Sequence, residues 1–223
     1  MKILFGTVFI FFFNISYGQN TVSNIIAKNV CNCLSNKLSQ GTLIYKDAVN
    51  CINFENEAQS ELYINEAVQK YGDSPTSSQA IQYAKDVGLN VSLNLIDSCS
   101  SYRELMDTAR YSLYSYLDKD SLLTEISKLN LADTSNRKLN FYTKRAKMLF
   151  WISNIKEAAQ DARQILKIDS TNQLGLHISA MQFELNHDYE SALNIYTALY
   201  KTSNNPRYAI DAAIAKWKIK YKQ

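Results

Sequence analysis

Residues 139–172 read LNFYTKRAKMLFWISNIKEAAQDARQILKIDSTN, and residues 173–206 read QLGLHISAMQFELNHDYESALNIYTALYKTSNNP. Set one above the other, the stretches align without a gap over 34 positions, with Ala146 on Ala180, Trp151 on Leu185, Ile155 on Tyr189, Ala158 on Ala192 and Ile165 on Leu199. Self-similarity at such a period marks a supersecondary unit copied in tandem, each copy burying its apolar face against the next. Close packing of two helices needs a small side chain at the contact and a larger one in the groove beside it. Ala146 and Ala180 fill the small role on each first helix, and Ala158 and Ala192 on each second. Residues 207–220 begin a third unit as one final helix, with Ile210, Ala213, Ile214 and Trp217 apolar on one side and Lys216, Lys218 and Lys220 outside. A polar-backed last helix of this kind is expected to cap the open end of a stack.

At these residues the chain resembles the tetratricopeptide repeat family, whose unit is a pair of antiparallel helices. Tyr142 and Leu176 stand where that family places a bulky residue, and Leu149 and Phe183 at its aromatic position. The departures are in the turns: Ser153 and His187 replace the family's turn glycine, and Ser170 and Asn204 its proline after the second helix. The resemblance implies a concave groove, lined by the first helices, that holds a peptide or protein segment. Carried over residue by residue, that groove shows Asn140, Thr143, Lys147 and Phe150 from the first repeat and Leu174, His177, Met181 and Glu184 from the second. Tyr208 and Asp211 join from the last helix. One aromatic ring, a methionine and single charges of both signs suit an extended segment with a few side-chain anchors. A groove that grips a C-terminal carboxylate would need several lysines, arginines and asparagines. Since about three units are needed to bury a repeat's face, the helices at 102–131 are expected to complete the stack as a diverged repeat or a docking surface.

Upstream lies a different kind of sequence. Met1-Lys2, an uncharged apolar run at 3–13 and the small residues Ser16 and Gly18 have the layout of a secretory signal peptide, cleaved between Gly18 and Gln19. The run is too short to span a bilayer, and no other apolar stretch approaches that length, so the mature protein is expected outside the cytoplasm, periplasmic or extracellular, with no integral membrane segment. Cys31, Cys33, Cys51 and Cys99 all fall in the first half of the mature chain, and an exported compartment keeps cysteines paired. Val22, Ile26, Val30, Leu34 and Leu38 recur at steps of four, which predicts a helix over 22–38. Two residues apart on a helix point about 200° from each other around the axis, so Cys31 does not bridge Cys33. Two pairings remain open: Cys31 to Cys99 with Cys33 to Cys51, or the crossed alternative.

Further helices are expected over 45–70, over a stretch opened by Ser74 as N-cap with Pro75 at the first helical position and running toward Cys99, over 102–116 and over 120–131. Gly88 is a candidate break in the third of these. The chain therefore reads as all-α: a signal peptide at 1–18, a disulfide-stapled helical module at 19–118, and helical repeats at 119–223.

Composition closes off other classes. Among 223 residues, 46% are apolar and 20% charged, as in an ordinary folded chain. Only 6 Gly and 2 Pro are present, too few for the turns of an all-β fold or for a glycine-rich phosphate loop. Lys and Arg number 24 against 21 Asp and Glu, a net +3 that carries no nucleic-acid footprint. His177 and His187 are the only histidines and lie far from any cysteine in sequence, so no metal site, cofactor or histidine-based catalytic group is expected. Glu55 and Glu57 read as an exposed helical face. The leading expectation is an exported, non-enzymatic module that binds a protein or peptide partner in the repeat groove. The alternatives are a thiol–disulfide exchange protein using Cys31 and Cys33, or a purely structural envelope component.

Overall fold

The computed structural model describes residues 22–112, 117–131 and 138–221, and among them the secondary structure is helical throughout. Eleven helices follow in order: α1 (Val22–Gln40), α2 (Tyr45–Ala58), α3 (Ser60–Tyr71), α4 (Ser77–Ser98), α5 (Ser100–Ser112), α6 (Lys119–Asn130), α7 (Leu139–Trp151), α8 (Ile155–Ile168), α9 (Gln173–Leu185), α10 (Tyr189–Ser203) and α11 (Pro206–Tyr221). The signal segment and its cleavage site lie outside the described residues, as does the expected end of the fourth helix at 116.

The first half is built on α1. Its stripe of Val22, Ile26, Val30 and Leu34 is fully buried, and Val87, Val91 and Leu95 of α4 pack against it in one core. Of the two pairings left open, the structure has Cys31–Cys99 and Cys33–Cys51, with Cα separations of 5.6 and 6.0 Å. One bridge ties α1 to α2, and the other ties it to the elbow at Cys99 between α4 and α5. Glu66 of α3 serves both other walls: one carboxylate oxygen accepts the Val22 backbone N–H at 2.7 Å, and the second accepts the Tyr83 hydroxyl at 2.7 Å. That bond satisfies a helix-start donor that has no partner inside its own helix.

Local details here differ from expectation. The helix expected over 45–70 is broken at Gln59 into α2 and α3. Thr76, not Ser74, caps α4, because Thr76 and Gln79 form a reciprocal capping box in which each side chain bonds the other's backbone N–H. Gly88 does not interrupt α4, which runs on to Ser98. Glu55 is buried rather than exposed, with Oε2 accepting from Asn29 Nδ2 at 2.9 Å.

In the second half, α7 to α10 form two consecutive helix pairs joined by matched turns. Ser153 and His187, 34 positions apart, both have a left-handed backbone, with φ of 62° and 64°. Asn154 and Asp188 follow as N-caps, accepting from Glu157 N and Ser191 N respectively. The 34-residue echo is thus a repeat of backbone geometry. The small residues Ala146, Ala158, Ala180 and Ala192 are all fully buried. Gly175 lets α8 and α9 approach closely, since a Cβ there would come within 3.0 Å of Leu166 Cγ and 3.1 Å of Ile165 Cγ2.

The last helix is not a cap. Tyr208 and Ala215 of α11 belong to the repeat core, while Ile214, with Ile210 and Ala213 beside it, belongs to the core of α1 and α4. Lys218, expected outside, is buried. A helix apolar on two sides is wedged between the two halves, and this is why its lysine face could not remain entirely in water.

Candidate functional site

The repeat places equivalent positions of α7, α9 and α11 side by side on one face. Thr143, His177 and Asp211 form one row, and Phe150, Glu184 and Lys218 another, each step being 34 residues. The rows are in contact across the helices: the His177 ring lies 5.5 Å from that of Phe150 and 5.3 Å from that of Tyr208, and Lys218 Nζ donates to Glu184 Oε2 at 3.1 Å.

This face divides into an open part and a filled part. Asn140 and Lys147 are exposed and Thr143 and Leu174 half-buried, so the α7 end offers side chains to solvent. Phe150, His177, Met181 and Glu184 are buried, as are Tyr208 and Asp211. These six are therefore not the solvent-lined groove expected of them.

What fills the groove is the C-terminal end of α5. Arg110 is 4% exposed and reaches Glu184 with both terminal guanidinium nitrogens, Nη1 donating to Oε1 at 2.8 Å and Nη2 to Oε2. Nη1 also lies 3.4 Å from Asp211 Oδ1, and Nη2 donates to Asp107 Oδ1 at 2.8 Å. Lys218 Nζ completes the cluster by donating to Asp107 Oδ1 at 2.7 Å. Beside it, Tyr111 packs against the repeat core, and its backbone carbonyl accepts from Ser153 Oγ at 2.6 Å.

The electrostatics follow from burial and neighbours. Burial by itself would raise the Asp107 carboxyl, but Arg110 and Lys218 outweigh it and hold the group below the ordinary carboxylate range. Asp211 is likewise held low against burial, by His177 and Arg110. Burial pushes His177 below its ordinary value and prevails over Asp211, whose Oδ2 sits 3.3 Å from His177 Nε2 as a close polar contact. Arg110 stays charged despite its burial, because Glu184 and Asp211 face it. In chemical terms the cluster is three carboxylates closed on a guanidinium and an ammonium, an arrangement that holds helices together and recognises a planar cation.

Arg110 and Asp107 did not figure in the sequence-based groove. The available signal was register: Arg110 follows Tyr102 and Met106 at i+8 and i+4 on the inward stripe of α5, and a cation at a core position requires a buried anion. Glu184, aligned with Phe150, is the matching anion at a core position of the repeat. A second cluster went unread in the same way: Arg145 of α7 binds Asp161 of α8 with Nε at 2.7 Å and Nη2 at 2.5 Å, and Asn130 of α6 with Nη1 at 2.6 Å.

All four cysteines are bridged, and Cys51 and Cys99 are buried. Among the described residues no group of three or more His, Cys, Asp or Glu side chains is placed to hold a metal ion. Among the same residues, no helix is long and apolar enough to cross a membrane. Compared with known proteins, the chain matches no described family, no curated protein and no solved structure.

Proposed function

We propose that this chain is an exported, non-enzymatic protein-interaction module of the tetratricopeptide type, whose repeats present a face to a protein or peptide segment. The observation that carries the reading is the recurrence of one turn geometry, one N-cap and one pair of small residues at a 34-residue step, with equivalent side chains aligned in rows across α7, α9 and α11. Arrays of this kind build continuous concave surfaces, and binding is their general use. Two disulfides fit an oxidising compartment. The exposed Asn140 and Lys147, with half-buried Thr143 and Leu174, form the accessible part of the surface.

The test is crosslinked capture from the native envelope fraction by the full mature chain and by its Lys147→Glu variant. Lys147 is exposed and folding should survive, so a partner captured by the wild type and lost by the variant is the expected result. Equal capture by both overturns the assignment of binding to this face.

A further inference from the structure

Only one turn of α5 enters the repeat face. The rest of the helix belongs to the other core, where Tyr102 is buried and Leu105 and Met106 pack against it. The entering turn is ionic rather than apolar: Asp107 meets Lys218, and Arg110 meets Glu184 and Asp211. Its fit is incomplete, since the buried Arg110 Nε has no hydrogen-bond partner among the described residues. The receiving residues are positions of the repeat rows themselves, Glu184 and Lys218 standing at the same place in successive units.

From this geometry we infer that the repeat face is a self-occupied site, with the Asp107–Arg110 turn of α5 as its resident ligand, and that the partner segment it accepts in exchange is a helix bearing a carboxylate and an arginine one turn apart. The inference rests on the interaction reading above and names the partner chemistry and the regulation of that face. The chemistry is set by complementarity. Glu184 and Asp211 require a guanidinium, whose fork spans both oxygens of Glu184, and Lys218 requires an anion beside it. An apolar segment would leave only the Lys218–Glu184 pair to offset these charges, with Glu184 Oε1 and Asp211 Oδ1 facing no guanidinium, which disfavours it. In the resting form α5 closes the site, and the Cys31–Cys99 bridge at its N-terminal elbow keeps the occupant tethered beside it.

The experiment uses a fluorescent, end-blocked peptide with the sequence of residues 100–112, SSYRELMDTARYS, titrated against the full mature chain. In the wild type the cis turn competes and binding is weak. The double variant Asp107→Asn with Arg110→Gln removes both charges, the first change isosteric and the second leaving a shorter, neutral polar side chain; it is expected to bind the peptide at least tenfold more tightly, and adding Glu184→Gln should return binding to the wild-type level. A folded double variant that binds no more tightly than the wild type overturns the proposal, as does binding indifferent to Glu184→Gln. Should the double variant not fold, Arg110→Lys, which keeps the buried charge and loses the fork, is judged by the same tenfold criterion. The assay needs no natural partner. Peptide binding by the opened chain together with Lys147-independent capture would leave this site standing and remove the interaction reading. Capture that depends on Lys147, with no peptide binding, would do the reverse.

Discussion

The two halves of this molecule are both helical and are stabilised by different means. In the repeats, alanines and one glycine let α7 to α10 close on each other, so packing supplies the stability without covalent help. In the first half the helices meet less completely. Phe54, Ile64 and Ile81 remain 68%, 59% and 57% exposed, and an apolar groove of about 320 Å³ between α3 and α4 is open. There two disulfides and the Glu66 bonds do what close packing does elsewhere. The lesson is that a helix bundle short of interdigitating side chains can be stabilised by limiting the freedom of its unfolded chain. Between the halves, α5 and α11 contribute apolar side chains to both cores, and a cluster of buried ions ties them to each other and to α9.

The sharpest way to break this comparison is to attack the join. Arg110→Ala leaves Glu184 buried without its fork partner and should cost about 3–5 kcal/mol. Urea unfolding followed by helix content would report it, and a loss below about 1 kcal/mol would show that the join is not ionic.

Next in size are the disulfides. Cys31–Cys99 spans 68 residues and Cys33–Cys51 spans 18, so replacing each pair by serine should cost about 4 and about 3 kcal/mol respectively. If the loss were equally shared by hydrogen-exchange protection in α8 and α9, the halves would unfold as one unit. Protection lost only in α1 to α4 would show that they unfold separately.

Acid should act first at the join. His177 has a folded pKa depressed by burial, so the unfolded chain binds its proton more readily. Its contribution is fully present above the ordinary histidine value of about 6.5 and is lost as pH falls through that value toward the folded one. Asp107 and Asp211, held low, contribute above the ordinary carboxylate value of about 3.9 and lose their contribution as pH falls through their folded values. The expected stability curve therefore falls in two stages, and His177→Phe should remove the upper one. A single stage near pH 4 in the wild type would contradict the buried, neutral histidine.

The smallest effects lie in the matched turns. Glycine at Ser153 or His187 relieves a left-handed backbone and should stabilise by about 0.5–1 kcal/mol. Each change also gives up a side-chain bond, Ser153→Gly the 2.6 Å bond to the Tyr111 carbonyl and His187→Gly the 2.7 Å bond with the Tyr189 hydroxyl, so the two gains should be similar. A gain in thermal melting at His187 with none at Ser153 would mean that the contact with α5 outweighs the backbone relief.

Much of the architecture was legible because it is written in local periodicity. The stripe from Val22 to Leu34, though not its expected last member Leu38, which is 48% exposed, and the exclusion of a Cys31–Cys33 bridge follow from where side chains point on a helix; the alanines follow from the 34-residue step, and the turn positions Ser153 and His187 from the family resemblance. Capping was less legible: Ser74-Pro75 is a good start signal, yet the box at Thr76 and Gln79 satisfies two backbone donors and prevails. The face of α11 was misread because Lys216, Lys218 and Lys220 look alike in sequence, while only Lys218 has Asp107 and Glu184 to meet it. The same holds for Glu184, whose partner Arg110 lies on a turn of α5 74 positions away along the chain, and for His177, enclosed by the rings of Phe150, Tyr196 and Tyr208 from three other helices.

By itself, then, the sequence determined the all-helical class, the tandem period and the two alternatives for the cysteines, since each depends on spacings within one element or on a fixed step between elements, while the break at Gln59 and the cap at Thr76 escaped it. Only the tertiary structure decided between those pairings, placed α11 between two cores and filled the repeat face with Arg110. Those outcomes depend on which distant side chains arrive at one point and can neutralise each other there, and no spacing along the chain encodes that meeting.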